Sequence, residues 1–407
     1  MARISETTRR ILAQNAGRDP ERLVLKYRLI RRDPFAFFRG TNPLFLEFLP
    51  RRSALLRAPC TLISGDLHLE NFGAFKGDNR LCYFDVNDFD EACLGPFTLD
   101  LVRFAASVEV AAGSLALSRH QAQGMIEAFL GAYAAAIADG KPRWIERTLA
   151  QGVFRTLLRR ATNRTRLELL DRFTKCKGDV RRFRIDGVRG LAIDPGERQR
   201  LKRLLKSMGA AGPDPAFFAM IDAARRIAGN GSLGLARDML LVRGRRSPDQ
   251  NFILDLKIAA PSAVAAWRGL PQPAWHSEAE RVVAIQRIVQ AIPPAMLAAV
   301  NFERQPFVLK ELQPSIDRLD LARWQRKPRR ILQALQGMGR VTAWGHLRGC
   351  GRFGADSVET LAAFVAAAGW RPEVERAAGT AARRVETAWR RYAADYDRGA
   401  VPGAQAP

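Results

Sequence analysis

The chain has 407 residues, 47% hydrophobic and 26% charged, enough to bury a sizeable core as one large two-lobed unit or as two to three domains. No run of 18 apolar residues is free of charge, and the N-terminus has no apolar segment before a cleavage site. A membrane-spanning helix and a secretory signal are therefore not expected. Cys60, Cys82, Cys93, Cys176 and Cys350 include no C-x-x-C pair, which argues against a disulfide framework or zinc cage and for a reducing cytoplasm.

The formal net charge of +24 admits a nucleic acid, a phosphorylated substrate or an anionic surface as partner. However, 55 Arg stand against 10 Lys and are spread over nearly every segment. That distribution favours a compositional bias over a dedicated nucleic-acid stripe.

In chain order, residues 1–60 open with a basic helical stretch and reach Asp33-Pro34-Phe35-Ala36-Phe37-Phe38-Arg39-Gly40. Between 60 and 95, the apolar runs Thr61–Ser64 and Leu81–Phe84 predict a strand, a polar loop, a second strand and an acidic loop. Residues 97–228 predict mostly helix, with a 3.6-residue period in Leu99–Val110 and Gln121–Ile137, and Ile221–Ala228 reads as helical too. The period changes after Ala228. Gly229-Asn230-Gly231-Ser232-Leu233-Gly234 precedes Met239–Val242, a turn at Ser247-Pro248-Asp249, and Asn251–Ile258, so two strands pair across that turn. A helix over Ser277–Ala291, a strand over Pro306–Lys310 and helices to residue 400 follow, with 401–407 as a frayed tail. No repeat or low-complexity tract interrupts the chain.

Three motifs carry chemistry. In Gly65-Asp66-Leu67-His68-Leu69-Glu70-Asn71, directly after a strand, an Asp and an Asn on one loop can hold a nucleophile's hydroxyl and a divalent cation together. Asp85-Val86-Asn87-Asp88-Phe89-Asp90-Glu91 ends the next strand and offers the hard carboxylate oxygens that Mg²⁺ requires. In the third, Gly229, Gly231, Ser232 and Gly234 form a loop whose backbone N–H groups can approach phosphates, and Lys257 follows in a strand.

Gly65-Asp66-Leu67-His68-x-x-Asn71 resembles the catalytic loop of the aminoglycoside phosphotransferase and choline kinase branch of the kinase-like superfamily. Asn87-Asp88-Phe89-Asp90 and Asp100-Leu101-Val102-Arg103 resemble its next two signatures. The chain is closer still to the bacterial family called domain of unknown function 2252. The similarity lies over Asp33–Gly40, Gly65–Arg103, Gly229–Lys257, Arg281-Val282-Val283 and Phe307–Leu312. The resemblance implies an α+β, protein-kinase-like two-lobed fold that binds ATP and Mg²⁺. It makes Asp66, His68 and Asn71 the catalytic loop, with His68 as a brace rather than the base. Asn71 and Asp88 become the metal ligands, flanked by Asp85 and Asp90, and Glu278 or Glu280 the partner of Lys257.

In kinases the glycine loop precedes the catalytic loop; here it follows, so the resemblance implies a circular permutation. Gly339–His346 then matches the helix that normally runs just ahead of the catalytic loop. Residues 1–228 would form the helical catalytic lobe, 229–315 a small β-rich nucleotide lobe, and 316–400 helices returning to the first. The implied activity is γ-phosphoryl transfer to a hydroxyl of an unidentified small molecule or protein. Transfer of AMP, a nucleotide-binding regulator without catalysis, and a basic nucleic-acid binder are the alternatives.

Simpler roles compete at single residues. Asp66 and Asn71 also suit turns. Asp100 either braces the catalytic loop or caps a helix. Lys310 rivals Lys257, and Arg39 is either a substrate contact or structural. Phe35, Phe37 and Phe38 read as core, while His120, His276 and His346 lack metal-ligand spacing.

Overall fold

The computed structural model describes residues 4–50, 53–245, 248–313 and 318–404. Ser247, expected in a turn, residues 314–317 at the expected lobe boundary, and 405–407 of the tail lie outside the described residues.

The first helices follow from their caps. Ser5, Asp19 and Asp33 each accept a backbone N–H three residues on, and proline opens the second and third helices, where its missing N–H costs nothing. These are α1 (Glu6–Gln14), α2 (Pro20–Arg32), α3 (Pro34–Gly40) and, after Thr41, α4 (Asn42–Phe48). Four short strands follow: β1 (Cys60–Ile63), β2 (Phe72–Lys76), β3 (Cys82–Val86) and β4 (Cys93–Pro96). β1 pairs with β4, and β2–β3 is extended by β5 (Ile145–Glu146). Two of these strands escape the sequence pattern because Gly73 and Gly95 sit inside them and read as loop. Around them run α5 (Thr98–Ala111), α6 (Arg119–Asp139), α7 (Gly152–Asn163) and α8 (Arg166–Phe173).

The expected helical stretch then gives way to strands. A hairpin of β6 (Thr174–Lys177) and β7 (Val180–Phe183) leads to β8 (Gly190–Leu191), α9 (Pro195–Ala210) and β9 (Met220–Arg226). Residues 221–226 are thus strand, not helix. Ala and Arg favour helix locally, but β9 is hydrogen-bonded on both sides, between β8 and β10 (Arg237–Val242). Next come β11 (Phe252–Ile258), α10 (Ala263–Ala266), α11 (Glu278–Val289), β12 (Ala298–Phe302) and β13 (Gln305–Glu311). Together they form a six-stranded antiparallel sheet in the order β12-β13-β11-β10-β9-β8, so the sheet begins well before residue 228. Its register sets Lys257 beside Arg237 and Val308, and Asp255 beside Lys310.

Three helices close the chain: α12 (Pro328–Gly349), α13 (Val358–Ala366) and α14 (Trp370–Asp397). The main core joins them to the N-terminal helices, α5 and α6, while a second core packs Leu201 and Leu205 of α9 on the sheet. α12 crosses α6 closely at Gly339, where a Cβ would overlap the Phe129 carbonyl. Val401 is buried and Gly403 packs on Val24, so the start of the tail is held rather than frayed. Among the described residues the fold is α+β, and no helix is long and apolar enough to cross a membrane.

Candidate functional site

The loop after β1 is built against one face of α5. Gly65 has φ +75°, and a Cβ there would overlap the Glu91 backbone, so only glycine fits. Asp100, Arg103 and Ser107 recur at helical spacing and each holds part of this loop. Asp100 accepts from Ser64 N at 2.8 Å, Gly65 N at 2.9 Å and the Ser64 hydroxyl. Arg103 Nε donates to Asp66 Oδ1 at 2.8 Å, and its other arm donates to the Phe38 carbonyl. Ser107 Oγ accepts from Leu69 N. Asp100 is thus a brace for the loop. His346 of α12 supports it from behind, with Nε2 3.3 Å from Asp100 and Nδ1 2.9 Å from the Tyr133 hydroxyl.

Within the loop, Asn71 Nδ2 donates to the Asp66 carbonyl at 2.5 Å. Burial, reinforced by the charges of Glu91 and Asp88, pushes the Asp66 carboxyl up to about 7 against the pull of Arg103. His68 is buried and its Nδ1 accepts from Glu70 N. Burial and the nearby Arg39, Arg103 and Arg318 hold its basicity well below the ordinary value, so it braces the loop as a neutral ring.

The second acidic loop follows β3. Burial acts to raise the Asp88 pKa, but Lys257, Lys310 and Arg237 outweigh it and hold the carboxyl below its usual value. Lys257 is ion-paired with Asp90. Neither Glu278 nor Glu280 is its partner: Glu278 binds Arg281 at 2.6 Å, and Glu280 accepts the His276 N–H at the start of α11. α11 reaches the acidic loop through Arg281 instead, whose guanidinium donates to the carbonyls of Asp90, Ala92 and Ala260. Asp85 does not join Asp88. From inside β3 it accepts the N–H groups of Val86 and Ala291 and lies 3.7 Å from Arg348, a structural role.

The glycine loop joins β9 to β10 as a hairpin. Gly229 and Gly234 have φ of +77° and +89°. Its carbonyls are held from the N-terminal segment: Lys26 Nζ donates to Gly231 O at 2.7 Å, and Arg18 to Gly231 O and Leu233 O. Asn230 Nδ2 reaches the Ala36 carbonyl at 2.6 Å. Gly234 packs against Arg18 and Leu23, while Gly229, Gly231 and Ser232 line a cavity of about 200 Å³. Asp66, His68, Asn71, Asp88 and Asp90 line the same cavity. Lys257 meets it through Asp90. Lys310 lies next to Asp255, which Arg226 and Arg237 bind at 2.6 Å each. Arg39 pairs with Glu70 at 2.5 Å beside the cavity. Phe37 and Phe38 are core; His120 and His276 are exposed.

A bacterial family whose description reads "uncharacterized protein conserved in bacteria (DUF2252)" matches residues 18–395. The chain belongs to this family. No curated protein and no solved structure matched the chain. The DUF2252 match begins at Arg18, which grips the glycine loop, and includes every residue lining the cavity except Gln14 and Asn15.

Asn71 and Asp88 line one cavity, and their side-chain oxygens are of the hard type that could hold a divalent cation. Among the described residues no three His, Cys, Asp or Glu gather as a complete metal cage. Sequence reasoning missed Arg18 and Lys26, and it quoted Glu91, Arg103 and His346 within motifs without giving them a part in the site. Arg103 carried a local sign, one helical turn after Asp100 on the face that meets the loop.

Proposed function

We propose that the chain is an ATP- and Mg²⁺-dependent phosphotransferase with kinase-like lobes in permuted order. The observation that carries this reading is the meeting of Asp66, Asn71 and Asp88 with the glycine loop around one cavity. Asp66, half-ionised near neutral pH and aimed by Arg103, suits a base that takes the acceptor hydroxyl's proton. The acceptor oxygen then bonds to the γ-phosphorus as the bond to the ADP oxygen breaks. Lys257 and the glycine loop supply the charge and N–H groups for the phosphates. Held by Asn71 and Asp88, Mg²⁺ would offset the phosphate charge.

The permuted order has its own support. Just past α12, Asp356 and Cys60 at the start of β1 exchange hydrogen bonds of 2.7 and 2.8 Å, and the Thr61 hydroxyl donates to the His346 carbonyl. The end of the helix thus abuts the strand that leads into the loop, where an unpermuted chain would connect them.

The test is thermal unfolding with and without MgATP. At about 100 times Kd, binding should add about 2.7 kcal/mol, and Lys257→Ala and Asp88→Ala should abolish the Mg²⁺-dependent rise. No rise at millimolar nucleotide, or full turnover by Asp88→Ala, overturns the reading. Mass spectrometry of the product separates phosphoryl from adenylyl transfer.

A further inference from the structure

A second, larger cavity of about 830 Å³ adjoins the loop at 65–71. The two cavities share a wall. Asp66, His68 and Asn71 line the smaller one, whereas Leu69 and Glu70 line the larger, and Arg318 lines both. Glu70 lies 2.5 Å from Arg39, which lines the smaller cavity, and 3.8 Å from Arg318. Phe35 of the larger cavity sets its ring edge-on to His68, with centroids 6.1 Å apart. None of the glycine-loop residues lines the larger cavity.

The sides of this cavity follow from helical spacing. Val153, Thr156, Leu157 and Arg160 recur at i, i+3, i+4 and i+7, so one face of α7 forms one side. Arg330 and Gln333, one turn apart on α12, form another, and Gln333 accepts the Val153 N–H at 3.3 Å where the two helices meet. Phe35 and Trp324 add part-exposed rings. Four arginines line the cavity against two carboxylates. Asp320 is taken by Arg323 at 2.7 Å, and Glu70 by Arg39. Among the described residues, Arg160 and Arg330 meet no carboxylate, and both are exposed.

The cavity thus sets unpaired cations beside apolar surface. An ammonium compound would be repelled, and a bare inorganic anion would leave the rings unused. An anionic head on an apolar body answers both. The volume falls within the range of about 300–1,000 Å³ typical of small-molecule sites, so a polymer is not needed to fill it.

We propose that the larger cavity binds a small organic anion, a carboxylate or phosphate carried on an apolar body, and that this molecule is the acceptor. The acceptor role rests on the phosphotransferase reading; the binding does not. In phosphoryl transfer the acceptor and the leaving ADP lie roughly in line on opposite sides of the phosphorus. With the glycine loop confined to the smaller cavity, the acceptor's body belongs in the larger one. Its hydroxyl is then directed past Arg318, the residue common to both cavities, toward Asp66.

The test is calorimetric titration of the full chain, with and without MgADP. The probes are 3-phenyllactate and 4-(hydroxymethyl)phenyl phosphate, against benzylamine, benzyl alcohol, acetate and inorganic phosphate. At least one aryl anion should bind saturably in the millimolar range or tighter, and the two probes separate a carboxylate from a phosphate head. The double variant Arg160→Gln/Arg330→Gln should bind it at least tenfold more weakly while keeping the wild-type thermal response to MgADP. The binding proposal is overturned if neither aryl anion binds, if benzylamine or benzyl alcohol binds as tightly, or if the double variant binds unchanged. An aryl anion that saturates the cavity beside MgATP and gains no phosphoryl group by mass spectrometry overturns the acceptor role. Aryl-anion binding without any response to MgADP would leave the binding site standing and remove the phosphotransferase reading.

Discussion

The two loops that face each other across the cavity are held by different means. Ser64–Asn71 rests on buried side chains of α5, with His346 behind Asp100. The glycine loop rests on Arg18, Lys26 and Asn230 through its carbonyls, and Lys257 on the neighbouring strand is tied to Asp90. The first loop is braced on a buried helix face; the second is held through its carbonyls, and the ion pair beside it is Lys257–Asp90. Buried neutral and ionic networks give rigidity, whereas half-exposed ion pairs cost little to exchange.

The sharpest way to break this contrast is at Asp100. Asp100→Ala strips the acceptor from Ser64 N, Gly65 N and His346 at once, and should cost about 3–5 kcal/mol of stability, read by urea unfolding. A loss under about 1 kcal/mol would mean that the loop stands without its brace. Asp88→Ala should do the reverse: stability within about 1 kcal/mol of wild type, but turnover down about a thousandfold, because charge neutralisation at the phosphates is lost. Equal losses in both assays would make Asp88 a structural residue.

How much of this was legible follows from where each contact lies in the chain. The loop at 65–71, the acidic turn at 88 and the glycine hairpin carry their geometry in local residue types, and α5 shows its bracing face by helical spacing. β9 was hidden because Ala223, Ala224, Arg225 and Arg226 prefer helix until sheet neighbours on both sides override them. The partner of Lys257 was hidden because Glu278 and Glu280 have nearer tasks in the first turn of α11, with Arg281 and the helix cap. Lys26 and Asn230 meet across 205 and 194 residues with Gly231 and Ala36, and no local pattern announces such contacts.

The sheet side also holds a pH-dependent weakness of its own, at a carboxyl away from the cavity. Asp238 in β10 is buried, and burial, aided by Glu197, raises its carboxyl to about 7 despite Arg22. A raised carboxyl favours the protonated folded state. Its contribution is therefore full below about pH 4, the unfolded value, and is lost as pH climbs through about 7. Asp238→Asn should flatten that decline and raise stability at pH 8 by about 2 kcal/mol, measured by unfolding across pH. An unchanged pH profile would mean that Asp238 is ionised in the fold.

The smallest effect bears most directly on how the two sides meet. The Lys257–Asp90 pair is partly open to solvent, with Asp90 39% exposed, so it adds little to stability. Asp90→Asn should leave the melting temperature nearly unchanged. It also removes the charge that holds Lys257, so a phosphate no longer has to compete for that cation, and MgADP should bind up to about tenfold tighter by calorimetry. If Asp90 instead helps Asp88 hold Mg²⁺, the same substitution weakens MgADP and leaves nucleotide binding without Mg²⁺ unharmed. Comparing the variant with and without the metal thus decides whether Asp90 restrains the sheet-side lysine or belongs with the carboxylates facing it.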